Sequence, residues 1–466
     1  MRRLLAPLVA LLALAPAAAH AATWSAPQTV SAPHTFAGPL QLGTTFDGSL
    51  AVAWPWQDNV GDDALGGESA ALRPPLPGFG PGRPATSAFG AEHPAPDGVT
   101  AVAGYARTQT LALAAQGLPR RSGPTGAILY NLNAAFGSAT AGTFSAPRAL
   151  ATAPVVGAPQ LAAAAGASTA LVTWIEVTRT SSGAIRRVVR AVDRRDGAWS
   201  KPYTLSGTGR ANTLAAATNV RGDQVVAFSR GDDVLARVRR RGHGWGSIQR
   251  LARADGGTQW QLVAGVNDRG QVRVVWRRHQ LTRDGVPGRT ALESAALLVG
   301  RSTFTAPQTL TADGASIPRL APTPQGWAVA DVEATAAGPR PALHRTLGGS
   351  AFAPVAYAAP AQGGARAADV AFSPVGGLTV AWIQPLAGQD SDGVARAASL
   401  DPGVSDATFG PVEDVSPAEA VHEVRLGADP RAGQPVAVWT ARPGGTGPAI
   451  PTGQIRTVVR SAIRLP

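Results

Sequence analysis

The chain of 466 residues contains no cysteine, one lysine (Lys201), one methionine and only 6% aromatic residues. Without cysteine there is no disulfide and no lipid-bearing thiol, so burial and hydrogen bonding alone must hold any exported form together. Histidine is scarce and scattered, with no HExxH and no close pair, which removes support for a zinc site. The GxSxG and GxxxxGK patterns are absent as well, and no cofactor is expected. A hydrophobic run long enough to span a bilayer is missing. The one sustained apolar stretch, residues 4–16, has about 13 residues against the roughly 20 a spanning helix needs.

That stretch follows Met1-Arg2-Arg3 and precedes "AAAHAA", the layout of a secretory signal peptide. Residues 1–22 are therefore expected to be removed, leaving an extracellular, monomeric chain with no transmembrane segment. Gly 54 and Pro 39 indicate many turns. The 41 arginines are concentrated: residues 181–280 carry 19 Lys and Arg against 7 Asp and Glu, a surplus equal to the net +12 of the whole chain.

Two motifs recur. "ATWSAPQTVS", "GTFSAPRALA", "GAWSKPYTLS" and "STFTAPQTLT" place an aromatic before a small residue, a proline and an aliphatic. The aromatics are Trp24, Phe144, Trp199, Trp245, Phe304, Phe352 and Phe409, the last six spaced by 55, 46, 59, 48 and 57 residues. Between them a turn glycine is followed six residues later by a large aromatic closing an apolar run: Gly48 to Trp54, Gly222 to Phe228, Gly270 to Trp276, Gly376 to Trp382 and Gly433 to Trp439. Gly166 to Trp174 is two residues longer, and Gly326 leads to Val332.

Glycine marks a hairpin between two strands; a third strand alternating arginine with aliphatics and a fourth carrying the first motif complete a meander. One meander of about 50 residues cannot cover both its faces, whereas stacked neighbours closing on themselves can. The expectation is an all-β fold: a single seven-bladed β-propeller over residues 23–466, with four-stranded antiparallel blades. The last blade lacks a fourth strand and the N-terminal "TWSAPQTVS" lacks a blade, so the two are expected to pair and close the ring. The motif tryptophans then pack blade against blade. Residues 57–98, rich in proline and glycine, are expected as a loop insertion in the first blade. Its acids Asp58, Asp62, Asp63 and Glu68 match no calcium-loop spacing, and no metal is expected.

Residues just after the second-strand aromatics should ring one mouth of the channel and bind ligand: Trp56, Asp58, Glu176, Arg230, Arg277, His279, Glu333, Gln384 and Arg442. Arg186, Arg187, Arg190, Arg237, Arg239, Arg240 and Arg241 are expected as a basic patch attracting an anionic polysaccharide or cell-envelope polymer. No nucleic-acid module is present, and nucleic acid is not the expected partner.

"GAWSKP", "GTFSAP" and "STFTAP" resemble the tail of the Asp-box repeat of sialidase-like propellers. The resemblance implies a propeller fold and, in that family, an arginine triad, a tyrosine nucleophile with a glutamate base, and an Arg-Ile-Pro motif. This chain has no such tripeptide, and Tyr105, Tyr130, Tyr203 and Tyr357 match no motif, so no catalytic residue carries over. The expected function is non-catalytic binding or scaffolding; the alternative is a glycoside hydrolase with divergent active-site residues.

Overall fold

The computed structural model describes residues 23–464 except 35, 46–48, 61–62, 74–98, 123–127, 139–140, 142, 165, 208, 254–257, 282–286, 325, 361–363, 374–376, 387–392, 401–407, 429–432 and 443–456. The expected signal peptide lies outside the described residues, as does most of 57–98. Among the described residues the secondary structure is β, and no helix is long and apolar enough to cross a membrane.

Each antiparallel meander begins with a hairpin. Unit 1 comprises Gln41–Thr44, Leu50–Val60 and Asp63–Arg73. Unit 2 comprises Val99–Tyr105, Gln109–Ser122, Ile128–Ser138 and Thr143–Phe144. In unit 3, Arg148–Ala163 serves two sheets: its first half pairs back onto unit 2, its second half onto Ala170–Arg179, followed by Ile185–Arg195, Ala198–Trp199 and Tyr203–Thr204. Unit 4 is Ala211–Thr218, Gln224–Arg230, Asp233–Arg239 and Gln249–Arg253. Unit 5 is Thr258–Val266, Val272–Leu281, Pro287–Leu297 and Gln308–Thr311. Unit 6 is Arg319–Thr323, Gly326–Thr335, Gly338–Arg345 and Ala356–Tyr357. Unit 7 is Arg366–Phe372, Leu378–Pro385, Gly393–Leu400 and Glu413–Asp414. Unit 8 is Ala420–Ala428, Pro435–Arg442 and Val458–Ile463, and its outer strand is Gln28–Thr29 from the other end of the chain, in register Gln28↔Ser461 and Thr29↔Arg460.

The described residues thus form eight units, one more than the motif count. The extra one is unit 2, and the stretch expected as an insertion begins as the second and third strands of unit 1. The physical reason lies at the contact between the two. A Cβ at Gly43 would stand 2.8 Å from the Ala103 backbone, and one at Gly104 would run into the Thr44 carbonyl. First strands this close leave room only for small side chains, and the cluster between them is built largely of Ala51, Ala53, Ala70, Ala112, Ala114 and Ala135. Unit 2 therefore has no large second-strand aromatic to announce it. Its hairpin turn also lacks glycine: Ala106 adopts φ +52°. Gly104→Ala is expected to lower stability by about 1–3 kcal/mol through overpacking, measured as a shift in urea midpoint at constant slope.

The aromatics behave as the repeat predicts. Trp54, Trp174, Phe228, Trp276, Trp382 and Trp439 are fully buried, each in a cluster shared with the preceding unit. Trp54 of unit 1 packs with Val436, Val438 and Val459 of unit 8. First strands of consecutive units lie side by side, and Gln41–Thr44 lies against Ala420–Ala428.

The polar half of the first motif also has a physical role. In each of four units its Ser or Thr exchanges two hydrogen bonds with one third-strand residue, the backbone N–H donating to a carbonyl and the hydroxyl accepting from the N–H. The pairs are Ser25 with Ile463, Ser145 with Phe136, Ser200 with Asp193 and Thr305 with Ala296, at 2.7–3.1 Å. The hydroxyl replaces a strand residue as acceptor, so a fourth strand of only two to four residues stays attached, and the neighbouring proline removes no ladder donor.

Candidate functional site

The expected rim residues lie in the later part of their second strands: Trp56, Glu176, Arg230 and Gln384 follow the buried aromatic of their strand by two positions, His279 and Arg442 by three, Asp58 by four, Glu333 follows Trp327 by six, and Arg277 directly follows Trp276. Alternation along a strand puts residue i+2 on the same face as residue i. Two rim residues are consequently recruited by the core. Glu176 accepts a hydrogen bond from the Trp174 indole at 3.3 Å and lies 3.5 Å from the Arg190 guanidinium, and Gln384 accepts from Trp382 at 3.5 Å while donating to the Gly364 carbonyl at 3.0 Å.

The other rim groups are similarly engaged. Asp58 meets the His34 imidazole at 3.0 Å, and that ring stacks on Trp56 with centroids 4.4 Å apart. Arg277 donates to the Ala315 carbonyl at 2.7 Å and to Gln261 at 3.0 Å, and burial lowers its pKa. His279 contacts the Thr290 hydroxyl at 2.9 Å. Arg442 is half-buried at the end of its strand. Glu333 accepts from the Tyr357 hydroxyl at 2.8 Å, with the Arg340 guanidinium 4.0 Å above the Tyr357 ring. Burial, the hydrogen bond and the Glu333 charge push the Tyr357 hydroxyl up to about 12, against the weaker pull of Arg340. Arg230 differs: its side chain crosses the space left by Gly209, where any Cβ would strike it.

Removing the Glu333 charge should let Tyr357 ionise earlier. Ultraviolet titration of Glu333→Gln between pH 9 and 11 is expected to show a phenolate component that the parent chain lacks. Because the folded pKa stands above the unfolded one, the Tyr357 contribution to stability is lost as pH rises from about 10 to about 12.

The expected basic patch divides. Register places Arg186 opposite Thr178 and Arg187 opposite Val177, at the end where second strands finish; Arg239 lies opposite Gln224, at the end where they start. Arg239, with Arg240 and Arg241 following it, thus belongs to the far side. Within that set, Arg239 is buried against Asp193 at 2.8 Å and under the Trp245 ring. Burial alone would raise the Asp193 carboxyl, but Arg239, Ser200 and Arg195 together hold it below the usual carboxylate value. Arg237 donates to the Leu205 and Gly246 carbonyls, each at 2.9 Å, Arg240 to Gly270, and Arg190 to Thr204 at 2.6 Å. Arg186 and Arg241 are exposed.

Sequence reasoning missed the carboxylates that cap two more tryptophans. Glu293 accepts from Trp276 at 2.7 Å because it is its cross-strand partner. Glu419 accepts from Trp439 at 2.8 Å and pairs with Arg460 at 2.8 Å. The only hint was a lone acid inside the apolar run "ALESAAL". No group of three or more His, Asp or Glu that could hold a metal ion occurs among the described residues.

No protein-family model matches the chain, and no curated protein sequence does. Solved structures of similar overall form include a protein of unknown function from Dyadobacter fermentans (12% identity, 96% of this chain and 99% of that one, TM-score 0.46). The polysaccharide lyase Uly1 is similar at 9% identity over 87% of this chain and 94% of that one, with a TM-score of 0.45. The intramolecular trans-sialidase of Ruminococcus gnavus is similar at 8% identity over 94% and 95%, with a TM-score of 0.38.

Proposed function

We propose that the chain is an exported, non-catalytic binding protein. In this reading its eight units close into a β-propeller ring through the Gln28–Thr29 strand, and the side where second strands end takes an anionic polysaccharide or cell-envelope polymer. The observation that supports it is the state of the rim carboxylates. Glycoside hydrolysis needs two carboxyl groups facing a shared space, one to donate a proton and one to attack or activate water. Asp58, Glu176 and Glu333 are each engaged with a neighbour, His34, Trp174 with Arg190, and Tyr357, while Arg186 and Arg210 are exposed near the second-strand ends of units 3 and 4.

One observation bears on the hydrolase alternative: Tyr357 and Glu333 are residues of the types that a sialidase pairs as nucleophile and base. A hydroxyl pushed up to about 12 is a poor nucleophile at neutral pH, and this favours a structural role for the contact. The test incubates the chain with a panel of glycans and fluorogenic glycosides. Retention of acidic glycans without product release is expected, unchanged in Glu176→Gln. Product release abolished by Glu176→Gln or Glu333→Gln would overturn the reading.

A further inference from the structure

Three arginines from three separate segments meet where units 3 and 4 adjoin, on the side where second strands end. Arg187 lies near the start of the third strand of unit 3, Arg210 precedes the first strand of unit 4, and Arg230 ends the second strand of unit 4. Backbone bonds impose the meeting. The Arg187 N–H donates to the Gly209 carbonyl at 3.1 Å, the Gly231 N–H donates to the Arg210 carbonyl at 3.3 Å, and Arg187 and Arg210 form a parallel bridge. Ala211 is the register partner of Arg230. The Arg230 side chain lies over Gly207 and Gly209, and the Arg187 guanidinium donates to the neutral Asn212 amide oxygen at 3.1 Å.

None of the three forms an ion pair with a described carboxylate, although Asp233, which opens the third strand of unit 4 and is preceded by Asp232, is the register partner of Arg230. Exposed Arg186 flanks them. Elsewhere in the same sector arginines are neutralised or capped, as Arg239 is by Asp193 and Arg237 by backbone carbonyls. Three guanidinium groups with no direct ion pair leave a surplus of positive charge beside Asp232 and Asp233, and an oxyanion placed among them offsets that surplus while accepting forked guanidinium hydrogen bonds.

We propose that Arg187, Arg210 and Arg230 form a subsite for an oxyanion group, a sulfate ester or a carboxylate, carried by a polyanionic polysaccharide. The inference rests on the binding function proposed above and gives it a location. A polysaccharide is favoured over nucleic acid because the arginines are not interleaved with exposed aromatics on which bases could stack.

The test measures binding of the full mature chain to dextran sulfate, to polygalacturonate and to duplex DNA, each over a salt series. Arg187→Gln/Arg210→Gln/Arg230→Gln is compared with Arg221→Gln/Arg241→Gln/Arg269→Gln, three exposed arginines on the opposite side. Binding to at least one polysaccharide is expected to weaken roughly tenfold or more in the first variant, from lost charge-assisted hydrogen bonds, and by less than about threefold in the second. The arm that responds distinguishes sulfate from carboxylate. Should the first variant fail to fold, Arg210→Gln alone, at an exposed position, is expected to weaken binding about threefold. Equal weakening in both triple variants would overturn the subsite and leave the binding function standing. No binding of the parent chain to either polysaccharide, or binding to DNA alone, would overturn both.

Discussion

A chain beginning after residue 34 is expected to melt roughly 10 °C below one beginning at Thr23. The segment between them holds the last strand of unit 8 by a dense set of bonds. Ser25 exchanges two with Ile463, Val30 donates to Val459 at 2.8 Å, the Ser31 hydroxyl accepts from Val459 at 2.8 Å, and His34 exchanges two with Thr457. Val30, almost fully buried, packs with Val436, Val438 and Val459. At about 1 kcal/mol net for each bond, the loss is on the order of 5 kcal/mol before Val459 is exposed to water. The freed edge of Val458–Ile463 would also present unpaired N–H and C=O groups, so aggregation should accompany the loss. Differential scanning calorimetry of the two chains makes the comparison. Equal melting temperatures would mean that the segment contributes nothing to the fold.

Trp439→Ala is expected to cost about 3–5 kcal/mol, the range for emptying a fully buried aromatic site. Trp439 is completely buried between units 7 and 8, against Ala381, Ile383, Val424 and Ala437. Trp439→Phe separates the ring from its N–H. The phenyl ring fills most of the space, but Glu419 then keeps Arg460 and loses its indole donor, at a cost of about 1–3 kcal/mol. Burial pushes the Glu419 carboxyl above its ordinary value, and Trp439 and Arg460 pull it partly back. The folded pKa is therefore above the unfolded one, so the folded chain takes up the proton first and the Glu419 contribution to stability falls as pH rises through this range. Losing the indole donor raises the folded pKa further. The difference between Trp439→Phe and the parent should be larger at pH 7 than at pH 5, as read from urea midpoints. A pH-independent difference would show that the indole N–H does not stabilise the Glu419 charge.

Much of the architecture is written in local patterns. Turn glycines at Gly166, Gly222, Gly270 and Gly433 adopt positive φ, as hairpins joining a first to a second strand require. The aromatic six to eight residues later is buried because a strand of that length carries it to the middle of the contact with the preceding unit. Unit 2 escaped notice for a reason equally local. Backbones meeting at Gly43, Ala103 and Gly104 leave no space for an aromatic, so the most closely packed contact is the one with the weakest sequence signal.

The candidate site was less legible. Trp174-Ile175-Glu176 and Trp382-Ile383-Gln384 do show the capping geometry at a spacing of two, but the spacing equally suits a rim facing solvent. Glu293 and Glu419 reach their tryptophans across strands or from a connection, and only register reveals them. The arginine surplus of residues 181–280 is a one-dimensional quantity. Antiparallel strands distribute it over two opposite ends, so Arg187 and Arg239 carry the same sign in one sector without sharing a surface.

A ring closed by its own first strand is tested most directly by a single cross-link, which the absence of cysteine makes unambiguous. Gln28 and Ser461 are register partners, and such pairs lie within the Cα separation a disulfide spans. Oxidation of Gln28→Cys/Ser461→Cys should yield a monomer with one intramolecular disulfide, identified by peptide mass mapping and by a mobility shift reversed on reduction. Free thiols after oxidation, or disulfides found only between chains, would contradict the ring.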